Sequence, residues 1–576
     1  MASRLTTLII VVIVAGTLIA GLIVGAQRDD ESGPVDLIIT NGRIYTGSAD
    51  SFAEAIAVRG NKILRVGTNR QIKRLRRAQT IVLDAHGGTV LPGFNDAHVH
   101  LLDGGLSLSQ VNLSDAAGLD AISERVREYA AEHSDKPWIV GQGWQYSSFP
   151  GGLPTKQELD ALVPDRPAFI YAFDGHTAWV NSKALALAHI TRRTQNPPDG
   201  VIVKDLRTGE PTGALKEGAQ SLVEKLVPTP THDEQVAALR AAVLEAQRVG
   251  VTSVQNATGS PAEVELYREL REAGDLNVRV YSALSMTPTF TVADHEAFDA
   301  VRARYGDDPV FKTGAVKIYM DGVVETHTAA MLEPYANAPT SGMPRYTPQA
   351  LNALVADLDR NGWQIFVHAI GDGAVRTTLD AYEQAARVNP MPVRGRRHRL
   401  EHIETIDPAD IPRFGALGVI ASQQPYHGSP VTSVPDIWSA NLGPDRAARG
   451  WATHSIEAAN GRLAFGSDWP VVSLDPRFGL YTAVTRMALD GTPEGGWHPE
   501  ERVSLAAAID AYTSGSAYAS FDEQRKGRLE RDMLADVVIL SSDIFAPDVR
   551  LLDAVVETTI FDGRVVYTRT PAQVTE

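Results

Sequence analysis

Between residues 89 and 466 short apolar runs alternate with amphipathic helical stretches, and few folds accommodate that alternation. A strand that is apolar on both faces, followed by a helix with one apolar stripe, belongs to a parallel sheet covered by helices. The expected strands are 89–91 running into 96–100, then 252–255, 278–284, 315–319, 364–368, 399–403, 418–422 and 463–466. Helices are expected between many of them, as at 262–273, 349–361, 374–387 and 408–417. The class is therefore α/β, and eight strands fit a closed (β/α)8 barrel of the TIM type better than an open sheet. One spacing is anomalous: roughly 150 residues separate the first two strands, where a βα unit needs about 30. An inserted α+β subdomain, about 104–248, is expected after strand 1, covering the barrel's C-terminal face. Trp138-Ile139-Val140-Gly141 and Phe169-Ile170-Tyr171-Ala172 read as its strands.

The two ends of the chain echo each other. Strand, tight turn and strand can be read in Val35 to Tyr45 around Asn41-Gly42, and again in Val555 to Tyr567 around Asp562-Gly563. The pairing predicts one small discontinuous β-sandwich, built from 35–88 and from 501–576, the latter with a helix, closing around a barrel at 89–500. Two independent hairpin caps are the other reading. Leu5 to Ala26 carries no charge and is long enough to span a bilayer. Arg4 before it, and Val24-Gly25-Ala26 at its end, make 1–27 a signal peptide or an N-terminal membrane anchor on an exported protein. Any membrane contact would run through that segment alone. The net charge of −16 disfavours nucleic acid as a partner. The absence of cysteine excludes disulfides, thiolate metal sites and cysteine nucleophiles.

The chemistry-bearing residues fall at strand ends. His98 and His100 close the first strand two residues apart, so both point to one face. Lys317 lies in the fourth strand, His368 ends the fifth, His402 lies in the sixth and Asp468 follows the eighth. All strand C-termini of a parallel barrel converge on one rim. A lone strand histidine is more often a satisfied core residue than a ligand, and Asp468 before Trp469-Pro470 could merely start a turn. Their joint placement at five strand ends points instead to a metal site held by histidines, a carboxylate and a lysine. His427 and His454 read as ordinary surface or loop histidines. HExxH, the phosphate loop and the G-x-S-x-G elbow are absent from the sequence.

Leu91-Pro92-Gly93-Phe94-Asn95-Asp96-Ala97-His98-Val99-His100 resembles the opening motif of the amidohydrolase superfamily. Asp174 to Ser182, Val316 to Gly322, His368 to Asp372 and Gly466 to Val471 make the chain similar to amidohydrolase family 3, the branch containing N-substituted formamide deformylases. The resemblance runs from about Asp36 to Tyr567 and implies a metallo-hydrolase barrel with one or two divalent ions, zinc suiting the donor set best. It implies His98 and His100 on the more buried ion, His368 and His402 on the other, and Asp468 touching the buried one. Lys317 matches a position that is a carboxylated, bridging lysine in related enzymes; unmodified, it would bind a substrate carboxylate beside a single metal. Trp144, His176, Glu217 and Gln424 match positions that bind substrate or lie near the site.

The implied reaction is attack of a metal-activated water on a C–N amide-type bond, with Asp468 as general base and then acid and no organic cofactor. The substrate would be a small amide such as an N-substituted formamide or an N-acyl amine, and the assembly could be a homodimer. A cyclic amidine deaminase on the same barrel is the alternative, with Lys317 weighing against it; an inactive membrane-tethered binding protein is a third reading.

Overall fold

A computed structural model describes residues 34–47, 52–114, 116–287, 292–431, 433–547 and 549–570. The expected signal or anchor segment at 1–27 lies outside those residues. Among the described residues no helix is long and apolar enough to cross a membrane.

Eight parallel strands make the central sheet: β1 (Phe94–Val99), β2 (Val251–Gly259), β3 (Arg279–Ser285), β4 (Phe311–Tyr319), β5 (Gln364–Ala369), β6 (Arg399–His402), β7 (Ile420–Gln423) and β8 (Arg462–Phe465). They follow one another in chain order round the sheet. The barrel closes just beyond the strands, where Val99 bridges Trp469. There the Asp468 amide donates to the His98 carbonyl at 2.6 Å and the His100 amide to the Trp469 carbonyl at 2.8 Å. Closure thus juxtaposes the first histidine pair and Asp468. The strands are buried on both faces, although β1 and β2 carry polar side chains along their length.

The covering helices start and stop on local chemistry. In α1 (Pro261–Ala273), Ser260 accepts the Glu263 amide, Pro261 fills the first turn and Gly274 ends the helix in the left-handed conformation. Val264, Tyr267 and Leu270 form its buried stripe. α2 (Pro348–Arg360) starts the same way, with Thr347 accepting the Ala350 amide and Pro348 in the first turn, whereas α3 (Asp372–Val388) follows Gly371 without a side-chain cap. Gly418, expected to open the seventh strand, instead caps helix Ile411–Leu417 at φ 65°, and β7 begins at Ile420.

The expected first strand is two strands of different sheets. Thr89–Pro92 pairs with Arg43–Tyr45 and Val537–Leu540, and the barrel takes over at Phe94. At the junction, a Cβ on Gly93 would lie 2.2 Å from the Thr252 hydroxyl, so only glycine lets the chain pass. Both halves are extended and only Gly93 lies between them, so the sequence pattern could not separate them.

Thr89–Pro92 therefore belongs to a six-stranded sheet shared by the two chain ends. A four-stranded sheet of Lys62–Gly67, Ala55–Arg59, Leu37–Thr40 and Ile81–Asp84 faces it. Leu37, Ile39, Ile56 and Val58 share one core with Val537, Ile539 and Ile560, so the termini build a single sandwich. Arg279 at the start of β3 ties it to the barrel through Asp536 at 2.6 and 3.0 Å and Asp562 at 2.8 Å.

Between β1 and β2 a second six-stranded, mixed sheet runs Gly200–Lys204, Pro211–Glu217, Thr177–Val180, Ala168–Ala172, Ile139–Trp144 and Val111–Asn112. Ile122, Val126, Trp144, Leu159, Ile170 and Trp179 give this insertion a core of its own. The following helix, His232–Arg248, packs Leu239, Val243 and Ala246 into the barrel's core.

Candidate metal centre

Asp96, His98 and His100 occupy alternate positions at the end of β1. The Asp96 carboxylate accepts the backbone amides of His98 and Ser467 at 3.0 Å, fastening β1 to the turn after β8. Burial pushes this carboxyl up to about 7. His98 is fully buried, and its Nδ1 lies 2.6 Å from Glu401 Oε2. A carboxylate only accepts, so Nδ1 carries the hydrogen and Nε2 offers its lone pair. Arg399 grips Glu401 through two contacts of 2.8 Å. Burial would raise the Glu401 carboxyl, but Arg399 and His98 hold it well below the usual carboxylate range. Burial and the nearby Lys317 lower His98 to about 4, leaving its imidazole neutral.

Asp468 stands at the centre, turned by a φ of 61° that few non-glycine residues adopt. Its Oδ1 lies 2.8 Å from His100 Nε2 and 3.3 Å from His98 Nε2. Its Oδ2 lies 3.8 Å from both His402 Nδ1 and His427 Nε2. Two donor sets result, His98/His100/Asp468 and His402/His427/Asp468, the ligand atoms of each within 4.8 Å of one another. Burial opposes ionisation of Asp468, yet His98, His100 and His402 hold its carboxyl well below the usual range. His402 Nδ1 and His427 Nε2 are buried without a hydrogen-bond partner. Buried lone pairs that converge and are satisfied by nothing else are what a cation site requires, so the donor set fits a divalent ion.

Lys317 is completely buried in β4, its Nζ 3.3 Å from His98 Nε2 and 4.6 Å from the Tyr319 ring centre. Burial depresses its amine to about 8, against the pull of Glu401 and Asp468. His368 joins by its ring, 4.6 Å from that of His402, while its Nε2 is 3.3 Å from the Gly322 carbonyl. His176, from the insertion, lies 5.8 Å ring to ring from His368 and bonds Glu217 at 3.0 Å. Burial disfavours its charge, but Glu217 raises it to about 9; in return Glu217 falls to about 2.

The structure thus brings His98, His100, Lys317, His368, His402, Asp468, His176 and Glu217 into one region. Trp144 is a correction: it sits in the insertion's core, its indole N–H donating to the Ile170 carbonyl at 3.0 Å. A register shift between Gln142 and Trp144 turns the neighbouring Gln145 to the cavity instead. Gln424 is fully buried with neither amide atom hydrogen-bonded. His427, read from sequence as a loop histidine, is a candidate ligand. It rides on the short helical turn Pro425–Gly428 directly after β7, so the strand-end signal that found the other residues also pointed to it. Glu401 was equally overlooked.

A cavity of about 650 Å³ opens on the centre, lined by His176, His368, His402, His427 and Asp468. Phe173 and Gln145 of the insertion and Val323, Tyr426 and Phe478 of the barrel loops complete its walls.

Residues 81–567 match the model of the amidohydrolase family. The protein LONG AFTER FAR-RED 3 of Arabidopsis thaliana is 32% identical over 92% of this chain and 91% of its own length. An N-substituted formamide deformylase of Arthrobacter pascens is 27% identical over 93% and 99%. A crystal structure of an uncharacterized metal-dependent hydrolase from Pyrococcus furiosus superposes with a TM-score of 0.67 at 27% identity, covering 88% of this chain and 99% of that one.

Proposed function

Because this chain belongs to the amidohydrolase family and is a metal-dependent hydrolase, we propose that its bond of choice is a carbon–nitrogen, amide-type bond in a small molecule. The observation that carries this is Asp468, one carboxylate oxygen toward each of two histidine sets. The name of the Arthrobacter relative, a deformylase of N-substituted formamides, supports the choice of bond. We assign one ion to His98, His100 and Asp468, and a second to His402 with His427 or His368. A divalent metal there, zinc by the chemistry of its donors, supplies Lewis acidity toward water and toward the scissile carbonyl.

The chain's own residues do the rest. Arg399 and Glu401 keep His98 in the tautomer that offers Nε2. Asp468 accepts the proton of the attacking water and returns it to the departing nitrogen. His176, charged through its pairing with Glu217, offers a hydrogen bond to the oxygen that gains charge. Lys317 we read as carboxylated in the loaded enzyme: an ammonium 3.3 Å from His98 Nε2 repels cations, whereas a carbamate attracts them. The uncharged run from Leu5 to Ala26 supports export.

Zinc-loaded protein should hydrolyse members of a panel of N-formyl and N-acyl amines, and Asp468→Asn should lower kcat/KM by about 10²–10⁴-fold when rates are compared per bound metal. Purified protein that holds no stoichiometric divalent metal under any loading condition, or an undiminished Asp468→Asn enzyme, overturns the proposal. Ammonia release from cyclic amidines without amide cleavage would move the assignment to a deaminase.

A further inference from the structure

His427 stands between two carboxylates. Its Nε2 faces Asp468 and its Nδ1 lies 3.9 Å from Glu404 Oε1. Glu404 lines the cavity, and so does Glu325 from the loop after β4. The other oxygen of Glu404 is fixed by the Trp438 indole N–H at 2.8 Å. Among the described residues neither carboxylate has a lysine or arginine partner. Burying an acid without a cation is costly, and proteins keep such groups mainly where a ligand makes up the deficit.

A second, independent observation lies in the same wall. Trp451 and Ser429 both line this cavity, each only 2% exposed, and neither the indole N–H nor the hydroxyl has a hydrogen-bond partner. Native proteins seldom leave buried donors unpaired. A purely structural role for Glu404, anchoring Trp438, explains neither Glu325 nor these two groups. The surface between them is apolar, supplied by Val323, Val434 and Phe173.

We propose that this end of the cavity is a subsite for a basic nitrogen: the preferred substrates are amides whose non-reacting end carries an amine, amidine or guanidine on a short apolar arm. Glu325 and Glu404 would meet the cation, while Trp451 and Ser429 would bond polar atoms beside it. This rests on the amidohydrolase reading for the identity of the bond cut, but the subsite can be measured without turnover.

Trp438 and Trp451 are built-in reporters. The metal-loaded enzyme is titrated, by tryptophan fluorescence, with 3-phenylpropylamine and with the neutral 3-phenylpropanol. The amine should bind at least about tenfold tighter, and Glu325→Gln and Glu404→Gln should each erase most of that difference while leaving the alcohol's affinity unchanged. Equal affinities, or an amine preference that survives in the double variant, overturn the subsite. Metal content and melting temperature are measured for each variant; should Glu404→Gln lose either, Glu325→Gln decides the matter.

A kinetic arm separates the two readings. If neutral formamides are cleaved and amine-bearing ones gain nothing in kcat/KM, the subsite falls and the hydrolase stands. If the amine binds through Glu325 but no amide is cleaved, the amide-bond reading falls and the subsite stands.

Discussion

Asp468 and His427 carry the sharpest residue-level expectations. His427 Nε2 is buried, unpaired and directed at the same carboxylate oxygen as His402. His427→Ala should therefore lower the bound-metal stoichiometry or weaken retention of one ion during dialysis against a chelator. The exposed His454→Ala should change neither, and metal analysis on both variants checks the contrast. Lys317 makes a separate prediction: protein equilibrated with carbon-13 bicarbonate should show a carbamate resonance that Lys317→Ala lacks. Strand-end placement made the first six candidates legible, because a parallel barrel brings strand termini together whatever lies between them. Trp144 was expected from the family resemblance and not from strand-end placement; a one-residue slip in a strand exchanges its two faces, and no sequence pattern announced the shift after Gln142. Buried partnerships such as Glu401 with His98 span some three hundred positions and leave no local trace.

At the scale of elements, α1 shows how a covering helix can be pH-sensitive. Glu263 in its first turn is buried; it accepts the Asn256 side-chain amide at 3.0 Å and the Tyr267 hydroxyl, and burial raises its carboxyl to about 8. The unfolded chain ionises near the ordinary glutamate value while the folded one keeps its proton, so stability is full at low pH and declines as pH rises towards 8. Between pH 5 and 8 the loss should be on the order of a few kcal/mol, and Glu263→Gln should flatten it in urea melts at several pH values. Helix identities were legible because capping residues and apolar spacing are local signals. Strand membership was not: 89–91 and 96–100 read as one run, and only the close approach of Gly93 to Thr252 reveals that neighbouring segments serve different sheets.

For the whole molecule, the barrel and the terminal sandwich depend on each other. Arg279 is buried between them and bonded to both Asp536 and Asp562. Arg279→Met leaves two carboxylates at that junction without their cation, Asp536 fully buried, and should destabilise the protein by about 3–5 kcal/mol, read as a lowered midpoint in denaturant melts. The discontinuous sandwich was readable in outline because both ends repeat a strand–turn–strand pattern; how their strands interleave was not, since pairing across the chain has no sequence period. That interleaving also sets a schedule for biosynthesis. Thr89–Pro92 leaves the ribosome long before Val537–Leu540, the strand that must lie beside it. Until then an apolar edge stays open on the nascent chain, exposed to the wrong neighbours. The final stretch of translation is thus what seals the first, and a stalled or truncated product would present that edge to chaperones and proteases.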